Sequence, residues 1–316
     1  MYAADPVRAV DSDVFSVPAG AQTLAQALLA RHGDAVQAIL LYGSCYRRGD
    51  DREGIVDLYL LVDGYRSVHG AGLAALANRI LPPNVYLLET PLGDRVLRAK
   101  YAVLSLAALE RGTGRRAFHP YLWGRFAQPT ALLYARTDVV AARVRAALAE
   151  AATTFVARVV PMLPAEFDAP MLWQRGLLLS YRAELRAERP ESAAYALYDA
   201  APAYYERLTR AALTRTPFVA TIIGATEPVR YRVQLPPGSR RRSRLGWGGR
   251  RAVGKILSVL RLLKGLFTFR GGPDYILWKI QRHSGVTVEV TPSARRHPLL
   301  AAWAIAWRLY RRRAFR

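Results

Sequence analysis

A single cysteine, Cys45, occurs in 316 residues. That excludes an internal disulfide framework and a cysteine-built zinc site, and it agrees with a reducing compartment. Lysine is scarce as well: there are four, and Lys100 is the only one in the first 254 residues. Acids thin out along the chain, leaving only Asp274 and Glu289 from Val229 to Arg316. No apolar run approaches the roughly 20 residues that a bilayer-crossing helix takes. The longest, Leu299 to Trp307, is about half of that, so no transmembrane helix is expected. The opening MYAADPVRAVDSDVF has early aspartates and no apolar centre, unlike a secretory signal or an Arg-rich transit peptide. His32, His69, His119, His283 and His297 show no metal-ligand spacing and read as structural. Neither a G-x-S-x-G elbow nor a Walker A loop is present.

What remains is a chain that can bury a core. Hydrophobic residues make up 52% and charged residues 22%, which excludes a disordered polyelectrolyte, and the length suits two domains or one with an appendage. The net charge of +22 is lopsided: residues 229–316 hold 21 Lys and Arg against the two acids named above. The first 228 residues are nearly neutral, with 25 bases and 22 acids. Such a tail attracts polyanions, either nucleic acid or an anionic membrane leaflet.

The apolar content of the tail distinguishes these partners. In AVGKILSVLRLLKGLFTF (252–269), Ile256, Leu257, Val259, Leu260, Leu263 and Leu266 form a broad stripe, with Lys255, Arg261 and Lys264 off it. Near the C-terminus, Trp303, Trp307 and Tyr310 recur at helical spacing with basic residues after them. Basic amphipathic helices with Trp on the apolar side suit a membrane interface. The other reading of the first stripe is ordinary core.

Along the chain, a helical lead-in (23–31 and 35–37) precedes a short strand, AILLYGS. A polar loop (47–54) leads to a second strand, IVDLYLLVD, and a helix at 70–81 ends at Pro82 and Pro83. NVYLLET is a third strand, KYAVLSLAALERGT runs from strand into helix, and PYLWGRFAQPTALLYA holds a helix and a strand. Residues 139 to about 205 read as helical. Pro236, Pro237 and Gly238 with the following RRRSR predict a flexible boundary. The expected fold is α+β in three parts. A nucleotidyltransferase-fold domain with a mixed sheet (1–137) comes first, then a helical, winged-helix-like domain (138–235), then a basic amphipathic section (236–316).

The chemistry-bearing stretch is LLYGSCYRRGDDREGIVDLYLLVD. Gly43 and Ser44 end one strand, and Asp57 follows Ser44 by thirteen positions on the next. This is close to the pattern of nucleotidyltransferases. The glycine lets backbone approach a triphosphate, Ser44 and nearby N–H groups bind phosphate oxygens, and the strand acid holds Mg²⁺. The same residues also suit a plain strand–turn–strand with a capping Ser and a solvated Asp. Polymerase-type sites carry a second acid two residues on; here that position is Tyr59. Asp63 lies too far along the strand to share a metal with Asp57 and reads as a strand-end turn residue. Asp50, Asp51 and Glu53 are expected to be solvated loop acids. Glu89 reads as an edge or loop acid.

YGSCYRRG with IVDLYLLV, then RAKYAVLSLAAL, HPYLWGRFAQP and LLSYRAELRAERPE follow one another over about residues 40–200. In order and spacing these blocks resemble the mitochondrial-type CDP-diacylglycerol synthases, also called phosphatidate cytidylyltransferases. The block GLFTFRGGPDYILWKIQRHSG resembles bacterial members. The resemblance implies that Gly43 and Ser44 cradle the CTP phosphates and that Asp57 binds Mg²⁺. The family lacks the second acid two residues on, so Tyr59 fits. Glu184 stands where the family usually has Asp, and is the candidate second metal ligand. Lys100 matches the lysine of the family's KY-containing strand, and a compact ammonium suits a phosphate as a point charge. Arg125 and Arg186 are phosphate-contact candidates, or ordinary ion-pair arginines. Cys45 is assigned no chemistry.

The implied reaction joins CTP and phosphatidic acid into CDP-diacylglycerol and pyrophosphate. It is expected peripherally at the cytoplasmic face of the inner membrane, with anionic phospholipid as partner and nucleic acid not. Two alternatives stay open: a nucleotidyltransferase acting on RNA, and a non-catalytic membrane-associated adaptor on the same fold.

Overall fold

The computed structural model describes residues 5–10, 14–52, 54–185, 189–224 and 229–268. Its elements run in the order α1 (Pro6–Val10), α2 (Ala19–His32), β1 (Val36–Tyr42), α3 (Ser44–Arg48), β2 (Val56–Val62), α4 (Tyr65–His69), α5 (Leu73–Ile80), β3 (Asn84–Leu92), β4 (Arg95–Ser105), α6 (Leu106–Thr113), α7 (Trp123–Phe126), β5 (Ala131–Ala135). They continue with α8 (Asp138–Val159), β6 (Glu166–Asp168), α9 (Ala169–Arg182), α10 (Pro190–Asp199), α11 (Pro202–Leu213), β7 (Val219–Ile223), β8 (Arg230–Gln234) and α12 (Ser239–Thr268).

The fold is α+β. A five-stranded mixed sheet has the order β3-β4-β2-β1-β5. Only the β2–β4 pair is parallel; β1–β2, β1–β5 and β3–β4 are antiparallel. Its central strands, ILLY and LYLL, are aliphatic and aromatic on both faces, as strands covered on two sides must be. Alternation splits their side chains. Ile39, Leu41, Leu58 and Leu60 face one core with Leu24 and Leu28 of α2. Ala38, Leu40, Tyr59 and Leu61 face the other, built on Val144, Leu148 and Phe155 of α8.

The second half is helical, and its strands form a small sheet, β6-β8-β7, as suits a winged-helix-like unit. Thr137 and Asp168 start α8 and α9 by accepting from Val140 N–H and Met171 N–H. Trp173 anchors this half: it stacks on Phe155 and donates its indole N–H to Thr209 Oγ1 and the Tyr205 carbonyl.

The segment expected as a boundary is helical after Gly238. The RRRSR run forms the first turns of a 30-residue helix. Arg240 donates to the Leu163 carbonyl, and Trp247 packs edge-on against Trp123. Pro236, Pro237 and Gly238 break the strand and launch the helix, rather than freeing it from the body. Trp303, Trp307, Tyr310, Arg186 and most of the GLFTFRGGPDYILWKIQRHSG block lie outside the described residues.

Candidate functional site

The site starts at the turn leaving β1. Gly43 has φ 90°, a left-handed backbone that favours glycine, and a Cβ there would stand 2.7 Å from Asp57 Oδ2. Glycine therefore lets the turn lie directly on the carboxylate. Ser44 opens α3, so its backbone N–H is one of the donors that the helix's own ladder leaves over. Cys45 is buried with its thiol donating to the Ile55 carbonyl, and burial pushes the thiol pKa up, in keeping with a packing role.

Asp57 and Lys100 are direct partners in the parallel β2–β4 register, and Lys100 Nζ lies 2.6 Å from Asp57 Oδ1. Tyr42 pairs with Asp57 from the other side. Burial, and then the Asp57 charge, push the Tyr42 pKa up to about 12. Two residues beyond Asp57 the buried Tyr59 takes the place of a second acid, and its hydroxyl accepts from Arg125 Nη1 at 2.7 Å. Its burial raises the phenol pKa, so Tyr59 stays neutral.

Arg125, on the short α7, is the hub of the neighbouring cluster. Its guanidinium lies 4.4 Å from the Tyr121 ring centre and 5.6 Å from that of Tyr42, and pairs with Glu184 at 3.6 Å. Arg261 of α12 lies 3.8 Å over the same Tyr121 ring and donates from Nε to the Pro82 carbonyl. Tyr121 is buried, which alone would raise its pKa; the two guanidinium charges reverse this and hold it below the usual value. His119 stands beside Tyr121 with its Nδ1 accepting the Tyr121 N–H. Burial, then the Arg261 charge, lower its pKa to about 4, so it is neutral at ordinary pH.

The structure thus groups Gly43, Ser44, Asp57 and Lys100 around one turn and joins Arg125 to them through Tyr42 and Tyr59. Glu184, the expected second metal ligand, is an ion-pair partner of Arg125. Among the described residues no group of three or more His, Cys, Asp or Glu gathers to hold a metal ion. A magnesium ion, however, commonly takes one or two carboxylates and fills its remaining positions with phosphate oxygens and water. The partly exposed Asp57 carboxylate beneath a glycine turn fits that pattern.

Other acids resolve differently. Asp51 is not solvated: it accepts from the Gly20 N–H at the start of α2 and pairs with Arg95 at 2.7 Å, because the loop after α3 folds back onto α2. Asp63 is the strand-end residue expected, accepting from Gly64 N–H and the Ser67 hydroxyl. Glu89 pairs with Arg98 on the β3–β4 edge. Tyr121 and Arg261 are members of the cluster that sequence reasoning missed. The signal for Tyr121 was its place four residues before Arg125 in the YLWGR run; Arg261 stood out only as a base off an apolar stripe.

No protein-family model and no curated protein matches the sequence. A solved structure is similar. A nucleotidyltransferase-like protein from Exiguobacterium sibiricum 255-15 aligns over 83% of this chain and 80% of its own, at 12% identity and a TM-score of 0.26. A likeness of that size carries no functional argument.

Proposed function

We propose that the chain is a nucleotidyltransferase that moves a cytidylyl group from CTP to phosphatidic acid. The observation that carries this reading is the approach of the Gly43 turn to Asp57, with Lys100 2.6 Å from the same carboxylate. Backbone donors of the turn and the Ser44 hydroxyl bind triphosphate oxygens, and Lys100 supplies a compact positive charge beside them. Asp57 would hold Mg²⁺, whose charge would offset that on the phosphate oxygens. A phosphate monoester has its second pKa near about 6, so the acceptor arrives mostly as a dianion and no general base is needed. Its oxygen forms a bond to the α-phosphorus as the α–β bridging bond breaks, and the electron pair leaves with pyrophosphate. This chain's residues position and neutralise; they transfer no proton. That accounts for Tyr59 where hydroxyl-activating enzymes carry an acid.

A lipid acceptor is supported by α12, which holds nine Lys and Arg, no acid and an aliphatic stripe. Peripheral association with an anionic leaflet follows from the same composition.

The test is turnover with labelled CTP, Mg²⁺ and phosphatidic acid in mixed micelles, alongside Asp57→Asn and Gly43→Ala. Label entering the organic phase, and lost in both variants, is the expected result. Labelling of added RNA in place of lipid would transfer the reading to an RNA acceptor. Folded wild-type protein silent toward both would leave the adaptor.

A further inference from the structure

Two helices wear their apolar faces outward. On α5 the buried residues are Ala75 and Asn78, whose amide donates to the Val103 carbonyl. The opposite face carries Leu73, Leu76 and Ile80, with Leu73 85% and Ile80 73% exposed. On α12 the inward face holds Trp247, Arg250, Gly254 and Arg261, while Val253, Ile256, Val259, Leu260 and Leu263 are exposed, Ile256 by 60%. Surface helices ordinarily show the reverse arrangement, and a contiguous exposed aliphatic patch marks an interaction site.

The two helices meet where α5 ends. Lys264 Nζ donates to the carbonyls of Leu81, which ends α5, and of Pro83, while Arg261 takes the Pro82 carbonyl between them. The C-terminal half of α12 is thereby fixed against the end of α5, one residue beyond Ile80. Arg244, Arg251 and Lys255 recur along one flank of the α12 stripe, and Arg79 stands beside the α5 stripe; neither helix contains an acid.

We infer that α5 and α12 together form one membrane-docking face, fitted to the surface of an anionic bilayer. Aliphatic side chains enter the acyl boundary while the flanking cations meet lipid headgroups. An acid-free cationic rim selects an anionic surface over an apolar protein groove, whose rim would have no need of uniform charge. The face extends membrane contact into the sheet domain and fixes how the site is presented, since Arg261 on the inner side of α12 lies on Tyr121 in the candidate site. The inference rests on the lipid-acceptor reading for its purpose, but its observables require no turnover.

The experiment uses the full chain. Leu76→Cys carries an environment-sensitive fluorophore; the native Cys45 is buried. Val219→Cys, at an exposed position on β7, is the control. Vesicles of phosphatidylcholine with phosphatidylglycerol are expected to blue-shift the label at 76 and leave that at 219 unchanged; pure phosphatidylcholine vesicles are expected to do neither. Replacing Leu73, Leu76 and Ile80 together with Ser is expected to weaken sedimentation with the anionic vesicles by about tenfold or more, given the aliphatic area removed. Turnover on a short-chain soluble phosphatidate stays unchanged in that variant. A water-like label at 76 on vesicle-bound protein would overturn the inference, as would equal binding to neutral vesicles. So would a lipid-free dimer abolished by the triple substitution, which would assign the face to a second copy. If the label inserts and no nucleotide is transferred to lipid, the function proposed above fails and the docking face stands.

Discussion

Lys100 and Asp57 face each other across the only parallel strand pair of the sheet, in direct register, with Nζ 2.6 Å from Oδ1. Parallel neighbours place both side chains on one face at the same height, so the pair is set by topology and not by a flexible loop. Lys100 is a third exposed and Asp57 a fifth, so solvent still screens the pair, and its contribution to stability lies at the upper end for exposed pairs, about 1 kcal/mol. Lys100→Met is therefore expected to lower kcat/KM for CTP by about a hundredfold or more, with a change in unfolding free energy within about 1 kcal/mol. Lys100→Arg is expected to restore little, because the fork cannot reproduce a point charge in this space. Steady-state kinetics beside urea unfolding separates the two effects; equal losses in both would make Lys100 structural.

Arg125 and Glu184 behave differently, because they are largely buried. Removing one partner of a buried pair strands the other charge, at a cost of about 3–5 kcal/mol. Arg125→Met is expected to fall in that range, and Arg125→Met with Glu184→Gln to regain a good part of it. Thermal unfolding of the two single variants and the double variant forms the cycle. Additive losses would show that Glu184 does not depend on Arg125.

At Gly254, α12 packs closely against Ala183 and His119. A Cβ there would run into the Ala183 carbonyl oxygen and His119 Nε2. Gly254→Ala must lift the helix, and with it Arg261 from Tyr121. Overpacking of this kind costs about 1–3 kcal/mol. Hydrogen exchange at the Leu185 amide, bonded to Ser258 Oγ, reports the lift. Unchanged protection with wild-type stability would mean that the helix accommodates the methyl group.

Acid should weaken the fold through His32 and His119. Burial is the leading cause in each, aided by Arg31 and Arg261 respectively, and lowers both to about 4 from an unfolded value near 6.5. Between those values the unfolded chain binds more protons, so stability is full above about 6.5 and is lost as pH falls toward 4. His119→Gln should flatten the dependence of the urea midpoint on pH by about one proton, and His32→Gln likewise. A variant with the wild-type slope would show that its histidine is protonated when folded.

Much of this was legible in the residues. Aliphatic and aromatic strands, the Gly43–Ser44 turn and the spacing to Asp57 are local signals, and the sheet places them as their pattern predicts. Lys100 stood out by its scarcity and by its match to the KY-containing strand. What escaped depends on distant partners. Asp51 reads as a loop acid until the loop meets α2 and Arg95. The RRRSR run reads as a linker until Leu163 and Trp123 receive α12. Arg261 reads as one more surface base, because only the chain's return to Pro82 and Tyr121 turns it inward.

Helix α12 touches the end of α8 at Arg158, the Phe118 carbonyl, the Leu185 amide and the residues that precede β3. It therefore splints the sheet half to the helical half, yet it is made late. A nascent chain has both halves translated before Ser239 emerges, and domains generally fold as they are synthesised. Until the ribosome has passed the splint, the Tyr121–Arg125 cluster lacks its cover and the two halves lack their clamp. A growing chain thus leaves this cluster uncovered by order of birth, and a protein shortened within α12 is expected to be a target for quality control.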